Sequence, residues 1–182
     1  MSYRRWILVA VGLFAIGVAF GLAMPDDIGS PFAGDLAVLE ELANILGPFK
    51  ITTAIFIFLK NVSALVFSFI FSPLLCLLPI LALTVNGWLL SFVSVAVIRQ
   101  HSVGLLLASL LPHGIFELPA LIIGEAAALS FGTMALVALI SKEKRGQLLP
   151  NLRQNLRYMI LAFALLLPAA IIETYITPLF LG

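Results

Sequence analysis

The longest apolar stretch of the sequence, from Val103 to Ile140, decides which class of fold the chain can adopt. At 1.5 Å per residue a helix of this length far exceeds the ~30 Å hydrocarbon core of a bilayer. Three ionisable side chains lie inside it, namely His113, Glu117 and Glu125. A charged group at the bilayer centre costs roughly 3 kcal/mol on insertion scales, so such residues usually face a bundle interior or a water-filled cavity. The stretch therefore predicts membrane helices that carry a polar site.

The composition of the whole chain supports this interpretation. Its 182 residues are 62% hydrophobic and 10% charged, whereas soluble domains are about 45–50% apolar and about 25% charged. We therefore predict an all-α, polytopic transmembrane bundle in the cell membrane, with the lipid bilayer as its surroundings. The net charge of +1 gives no reason to expect nucleic-acid binding. The single cysteine, Cys76, excludes an intrachain disulfide and a cysteine-based metal box.

The apolar segments predict about five full spans in a single domain. We place these spans at residues 6–24, 51–71, 74–98, 115–140 and 158–180. Basic residues precede the first span and follow the fourth, and these residues are Arg4, Arg5, Lys142, Lys144, Arg145, Arg153 and Arg157. Because positive charge concentrates in cytoplasmic loops, we expect the N-terminus in the cytoplasm and the C-terminus outside.

This orientation requires an odd number of crossings between residues 103 and 140, because three spans precede them. Two crossings would absorb the length but would place the basic segment outside. We therefore predict a re-entrant half-helix at residues 103–111, a break from Pro112 to Gly114, and one full span from residue 115. Prolines favour helix starts and breaks, and many transporters build ion sites at broken membrane helices.

The segment between the first two spans is acidic and carries an amphipathic pattern. Leu39, Leu42 and Ile45 fall on one helical stripe, with Glu40 and Glu41 largely off it. We predict a short helix at residues 31–46 on the outer surface. Its apolar face packs on the bundle or lies at the membrane interface, and binding of a partner protein is the more specific alternative.

The polar residues inside the spans form the candidate site. His113 and Glu117 are one helical turn apart, and neutral imidazole and carboxylate on one face can hold a divalent cation. Glu173 in the last span is our candidate for a third metal ligand. A proton relay would use the same residues, and a fully satisfied structural network is the other alternative. The wider intramembrane network that we predict comprises Lys60, Asn61, Asn86 and Glu125. We expect a buried acidic partner for Lys60. We also expect Asn86 to hydrogen-bond between helices, and Gly87 to let the backbones approach closely.

Catalytic signatures do not support an enzyme. The sequence contains no HExxH, no G-x-S-x-G and no Walker motif. We therefore expect a non-enzymatic protein.

At these polar residues the sequence resembles the stage II sporulation protein M family of integral membrane proteins. The resemblance covers most of the chain from about residue 51. It implies the bundle architecture, and it picks out Asn61, Asn86, His113, Glu117 and Glu173. The matching phrases are Lys60-Asn61, Asn86-Gly87, LPHGIFELPALIIG from Leu111 to Gly124, and IIETYITP from Ile171 to Pro178.

The resemblance implies a role in assembly. The founding member of the family resides in the septal membrane of spore formers and works with peptidoglycan-degrading partners during engulfment. By this resemblance we expect a non-enzymatic membrane protein that assembles with itself, as a homo-oligomer, or with envelope-remodelling partners. The alternative is a small transporter or channel with a polar, metal or proton site around His113, Glu117 and Glu173.

Overall fold

The structure is a computed structural model that describes residues 3–23 and 47–181. These residues form α-helices joined by short connections, and five of the helices are long and apolar enough to cross a membrane. The predicted helical membrane bundle is confirmed. The predicted outer helix at residues 31–46 lies outside the described residues. The helices are α1 (Tyr3–Ala23), α2 (Ile51–Phe71), α3 (Leu77–Gln100), α4 (Val103–Ile140), α5 (Leu148–Tyr175) and α6 (Thr177–Leu181), and a 3-10 segment (Lys142–Gln147) links α4 to α5.

Helix α4 is the centre of the bundle and packs against α1, α2, α3 and α5. Its residues 124–130 are all buried, so this part of the helix is enclosed on every face. Leu65 of α2 and Met159 of α5 pack on one side of it, and Ala10 of α1 and Leu83 of α3 pack on the other. Most of the enclosed residues are glycine, alanine or serine, and small side chains let neighbouring membrane helices approach closely.

The structure differs from our prediction at the start of α4. Residues 103–111 are not a separate re-entrant half-helix, because α4 continues without a break through Pro112 and Pro119. A break would expose several unpaired backbone groups to lipid, each at a cost of several kcal/mol, whereas a proline inside a membrane helix removes one hydrogen bond and is tolerated. The result is one helix of 38 residues, about 57 Å long.

Helices α1 and α3 approach each other through glycines. A Cβ atom added at Gly17 would collide with the carbonyl oxygen of Thr84, and one added at Gly87 would collide with that of Phe14. Gly21 is equally close to α3, so α1 presents two glycines four residues apart. The close approach that we predicted at Gly87 is confirmed, whereas we did not identify the glycine pair of α1.

The bundle has one basic end, formed by Arg4, Arg5, the 3-10 segment and the first turns of α5. Residues 151–157 belong to the first turns of α5. The turn between α2 and α3 lies at the same end, since Gly132 of α4 packs against the carbonyl of Ser72. At the opposite end the backbone N–H of Phe49 donates to the carbonyl of Thr174 (3.2 Å). The orientation of these two ends across the membrane stays a prediction.

The glycine contacts generate a matched pair of substitutions. Gly17→Ala should destabilise the protein by about 1–3 kcal/mol, because the new methyl group overpacks the contact with Thr84. Among the described residues, an added Cβ at Gly12 meets nothing within 4 Å, so Gly12→Ala should be neutral or stabilising by up to about 1 kcal/mol. Thermal unfolding in detergent measures both. Equal unfolding temperatures for the two variants would contradict the close α1–α3 contact.

Candidate functional site

His113 and Glu117 form the centre of the candidate site. His113 Nε2 lies 3.9 Å from Glu117 Oε2, and the two side chains are 15% and 33% exposed. The one-turn spacing on α4 therefore produces the mutual reach that we predicted. On the other side of the imidazole, Thr177 Oγ1 of α6 lies 3.4 Å from His113 Nδ1. The imidazole is thus placed between a carboxylate and a hydroxyl group.

Glu173 of α5 completes a group of three potential ligands. One ligand atom each from His113, Glu117 and Glu173 lie within 4.8 Å of one another. All three side chains are half-buried. Glu173 reaches the group because α5 packs along α4. The structure therefore brings together the three residues that the sequence analysis named as a metal site, and their role as ligands stays a prediction.

Asn61 connects this group to α2. Its Nδ2 donates a hydrogen bond of 3.1 Å to Glu117 Oε1. Glu117 therefore has one carboxylate oxygen next to Asn61 and the other next to His113. Asn61, which we predicted as part of the polar network, orients the carboxylate from a neighbouring helix.

Lys60 behaves differently from our expectation of a buried acidic partner. The side chain is exposed, and no carboxylate of the described ranges 3–23 and 47–181 lies within ion-pair distance of it. Asn61 rather than Lys60 contacts Glu117. Lys60 nevertheless lies close enough to Glu173 to act on it electrostatically.

Asn86 does not join two helices, contrary to the interpretation that we favoured for it. Its Nδ2 donates to the carbonyl of Ala82 on its own helix (2.7 Å), and the side chain is exposed. The reason is the neighbouring Gly87, which faces α1 in the close α1–α3 contact and so turns Asn86 away from that contact. Asn86 instead lines the cavities beside the site.

Two cavities adjoin the group of ligands. The first, about 330 Å³, lies between α3 and α4 and combines apolar walls with Asn86, His113 and Glu117. The second, about 200 Å³, extends to α2 and is lined by Lys60, Asn61, Asn86, Glu117 and Glu125, among others. Asn86 and Glu117 line both cavities, so Glu117 borders empty space on two sides.

Glu125 lies deeper in the bundle and has its own partner. It is 1% exposed, and the hydroxyl of Ser68 on α2 donates to its Oε2. A buried carboxyl group without a hydrogen bond would be strongly unfavourable. The hydrogen bond from Ser68 therefore stabilises Glu125 in its buried position. We predicted Glu125 as part of the polar network. We did not predict Ser68, because a single serine within an apolar run has no distinctive sequence pattern.

A second buried network was not identified from the sequence. Asn155 of α5 is 1% exposed, and its Nδ2 donates to Ser130 of α4 (3.2 Å) and to Asn151 Oδ1 (2.9 Å). Asn155 Oδ1 has no partner among the described residues. The i, i+4 spacing of the two asparagines at the start of a span was the available signal.

An imidazole nitrogen with two carboxylate oxygens is a donor set for divalent transition metals, and the same groups can also exchange protons. The described residues of this cluster include no serine or cysteine nucleophile. The three groups are therefore suited to binding a cation.

Comparisons with known proteins agree on the family. The sequence model of the family described as Stage II sporulation protein M matches residues 10–178. An uncharacterized protein of Methanocaldococcus jannaschii is 32% identical over 74 residues, which are 41% of this chain. The matched part spans 42% of that relative. No solved structure matches the chain.

The pairing of Ser68 with Glu125 generates a prediction. Ser68→Ala should destabilise the protein by about 1–3 kcal/mol, because it leaves the buried carboxyl group without its donor. Ser94→Ala is the matched control, since within residues 3–23 and 47–181 the Ser94 hydroxyl bonds only to the carbonyl of Leu90 on its own helix. Unfolding in detergent measures both variants.

A double-mutant cycle then isolates the interaction itself. In a Glu125→Leu background, Ser68→Ala should cost much less than it does in the native chain, because no carboxyl group remains to be stranded. An equal cost in both backgrounds would show that Ser68 contributes through packing alone.

Proposed function

Because the chain belongs to the stage II sporulation protein M family of multi-pass membrane proteins, we propose that it binds a divalent cation between His113, Glu117 and Glu173. The observation that carries the proposal is the convergence of three ligand atoms within 4.8 Å. They come from helices α4 and α5, more than fifty residues apart in the chain. A side chain of α2, Asn61, orients one of them.

The chemistry of the three ligands limits which cation fits. One imidazole and two carboxylates suit Zn²⁺ or Mn²⁺ better than softer ions, which prefer thiolates. At metal–ligand distances of about 2.1 Å, two ligands of a tetrahedral site lie about 3.4 Å apart. Binding therefore draws the carboxylates inward by roughly 1 Å, which side-chain rotation supplies, and water completes the coordination.

Neighbouring residues orient the ligands in a way that is typical of metal sites. Metal-binding histidines usually hold their second ring nitrogen in a hydrogen bond that fixes the ring. Thr177 Oγ1 offers that contact to His113 Nδ1, which leaves Nε2 toward Glu117. Asn61 provides the corresponding contact to the carboxylate of Glu117.

Two functions can use such a site. The first is transport of the cation or of protons, which is supported by the two cavities that meet at Glu117. The second is assembly, with itself or with envelope-remodelling partners, which is supported by the family match. In assembly the cation would hold the outer ends of α4, α5 and α6 in the conformation that a partner recognises.

Cation binding is tested by stability in detergent with and without Zn²⁺ or Mn²⁺. A ligand at 100 times its Kd should stabilise the native protein by about 2.7 kcal/mol. His113→Ala, Glu117→Gln and Glu173→Gln should each abolish this stabilisation. The matched control is His101→Ala, since His101 is an exposed histidine outside the cluster.

The double variant His113→Leu, Glu117→Leu distinguishes a cation site from a structural network. Replacing a buried polar pair with apolar residues is often neutral, whereas removing one partner strands the other. A double variant as stable as the native protein, together with no response of the native protein to any cation, would overturn the proposal.

Transport and assembly are separated by a flux measurement in reconstituted vesicles. If the protein transports the cation, a gradient should drive uptake that Glu117→Gln abolishes and His101→Ala does not change. Cation binding without flux, accompanied by cation-dependent crosslinking between copies or to envelope proteins, would assign the site to assembly.

A further inference from the structure

A cavity of about 550 Å³ lies at the basic end of the bundle, far from the carboxylate cluster. Its lining consists of Pro150, Arg153, Gln154, Arg157 and Tyr158, all from the first part of α5. Arg153, Gln154 and Arg157 are exposed. The cavity is therefore built from two guanidinium groups and an amide beside an aromatic ring.

The two arginines of this cavity are four residues apart and so lie on the same face of α5. Like charges at this spacing repel each other and destabilise a helix. No carboxylate of the described residues lies within ion-pair distance of either guanidinium group, and Glu143 is the one acidic residue between Ser141 and Arg157. A bound anion would relieve the repulsion.

The start of α1 packs against Tyr158, one wall of the cavity. The ring of Tyr3 stacks on that of Tyr158, with centroids 3.4 Å apart, and the hydroxyl of Tyr3 donates to the carbonyl of Ile123 (2.7 Å). These contacts fix the start of α1 beside the cavity. Arg4 and Arg5, both exposed, directly follow Tyr3.

An apolar surface suited to acyl chains lies beside the arginines on α5. Leu156 and Ile160 of α5 are 45% and 65% exposed, and they lie one turn apart, next to the arginines. Tyr158 marks the level at which the chain becomes apolar, and tyrosine is typical of the membrane interface. A phosphate at the arginines would thus have its lipid tails beside these side chains.

We propose that this cavity binds the phosphate headgroup of an anionic phospholipid. Guanidinium groups donate paired hydrogen bonds to phosphate oxygens, and Gln154 adds a neutral donor. An acidic protein segment would satisfy the charge, but it would leave the adjoining apolar face unused. The predicted cytoplasmic position of this end agrees, since anionic lipids concentrate in the cytoplasmic leaflet.

The test compares binding of phosphatidylglycerol and phosphatidylcholine with identical acyl chains to the full chain in detergent, by native mass spectrometry. Native protein should bind phosphatidylglycerol about tenfold more tightly. Arg153→Gln with Arg157→Gln should remove this preference. The matched control is Lys142→Gln with Lys144→Gln, which removes the same charge from the exposed 3-10 segment outside the cavity and should retain the preference.

Several outcomes would overturn the proposal. If the arginine pair and the lysine pair lose the preference for phosphatidylglycerol equally, the binding is general electrostatic attraction. If inorganic phosphate competes as well as the lipid does, the cavity is a site for free anions. Binding of an oligoglutamate peptide without binding of phosphatidylglycerol would assign the cavity to a protein partner. If the glutamine pair does not fold, Arg153→Lys with Arg157→Lys keeps the charge but loses the paired donors, and unchanged lipid preference in this variant would overturn the role of the arginines.

Discussion

The need to find partners for polar side chains inside an apolar bundle is the constraint on which the rest of this structure depends. In hydrocarbon an unpaired polar group costs several kcal/mol. Helix α4 carries four of the polar side chains concerned, His113, Glu117, Glu125 and Ser130, and each finds a partner on another helix. Because these partners lie on α2, α5 and α6, the pairing also fixes how those helices are arranged around α4. The enclosed position of α4 follows from its chemistry.

The packing of α1 on α3 solves a different problem. Their contact is made through Gly17, Gly21 and Gly87, so it depends on van der Waals contact between backbones rather than on polar partners. The side chain of Asn86 takes no part in this contact. Asn86 accordingly bonds to its own helix and lines the cavities next to Glu117. Glycine packing on one face of α3 thus leaves room for solute on another.

Much of this architecture was predictable from the sequence, and the failures have a common cause. Hydropathy located the spans, and one-turn spacing placed His113 beside Glu117, because both signals are local. The partners of Lys60 and Asn86 were wrong because they depend on how each helix is rotated about its axis, which tertiary packing decides. The break predicted at Pro112 was wrong because lipid penalises an open backbone more than a proline penalises a helix. Ser68 and Asn155 were missed because a single serine or asparagine in a span has no distinctive pattern.

Opposite charges are separated along α5, and this separation bears on the orientation of the bundle. Helix α5 carries Arg157 near one end and Glu173 near the other, 16 residues apart by number, or about 24 Å along the axis. Sites at that distance are expected to respond independently to substitution. If the arginines lie at an anionic cytoplasmic leaflet, as we predict, the carboxylates lie toward the outside. A cation arriving from outside would then meet the group of His113, Glu117 and Glu173 before it met any positive charge of the basic end.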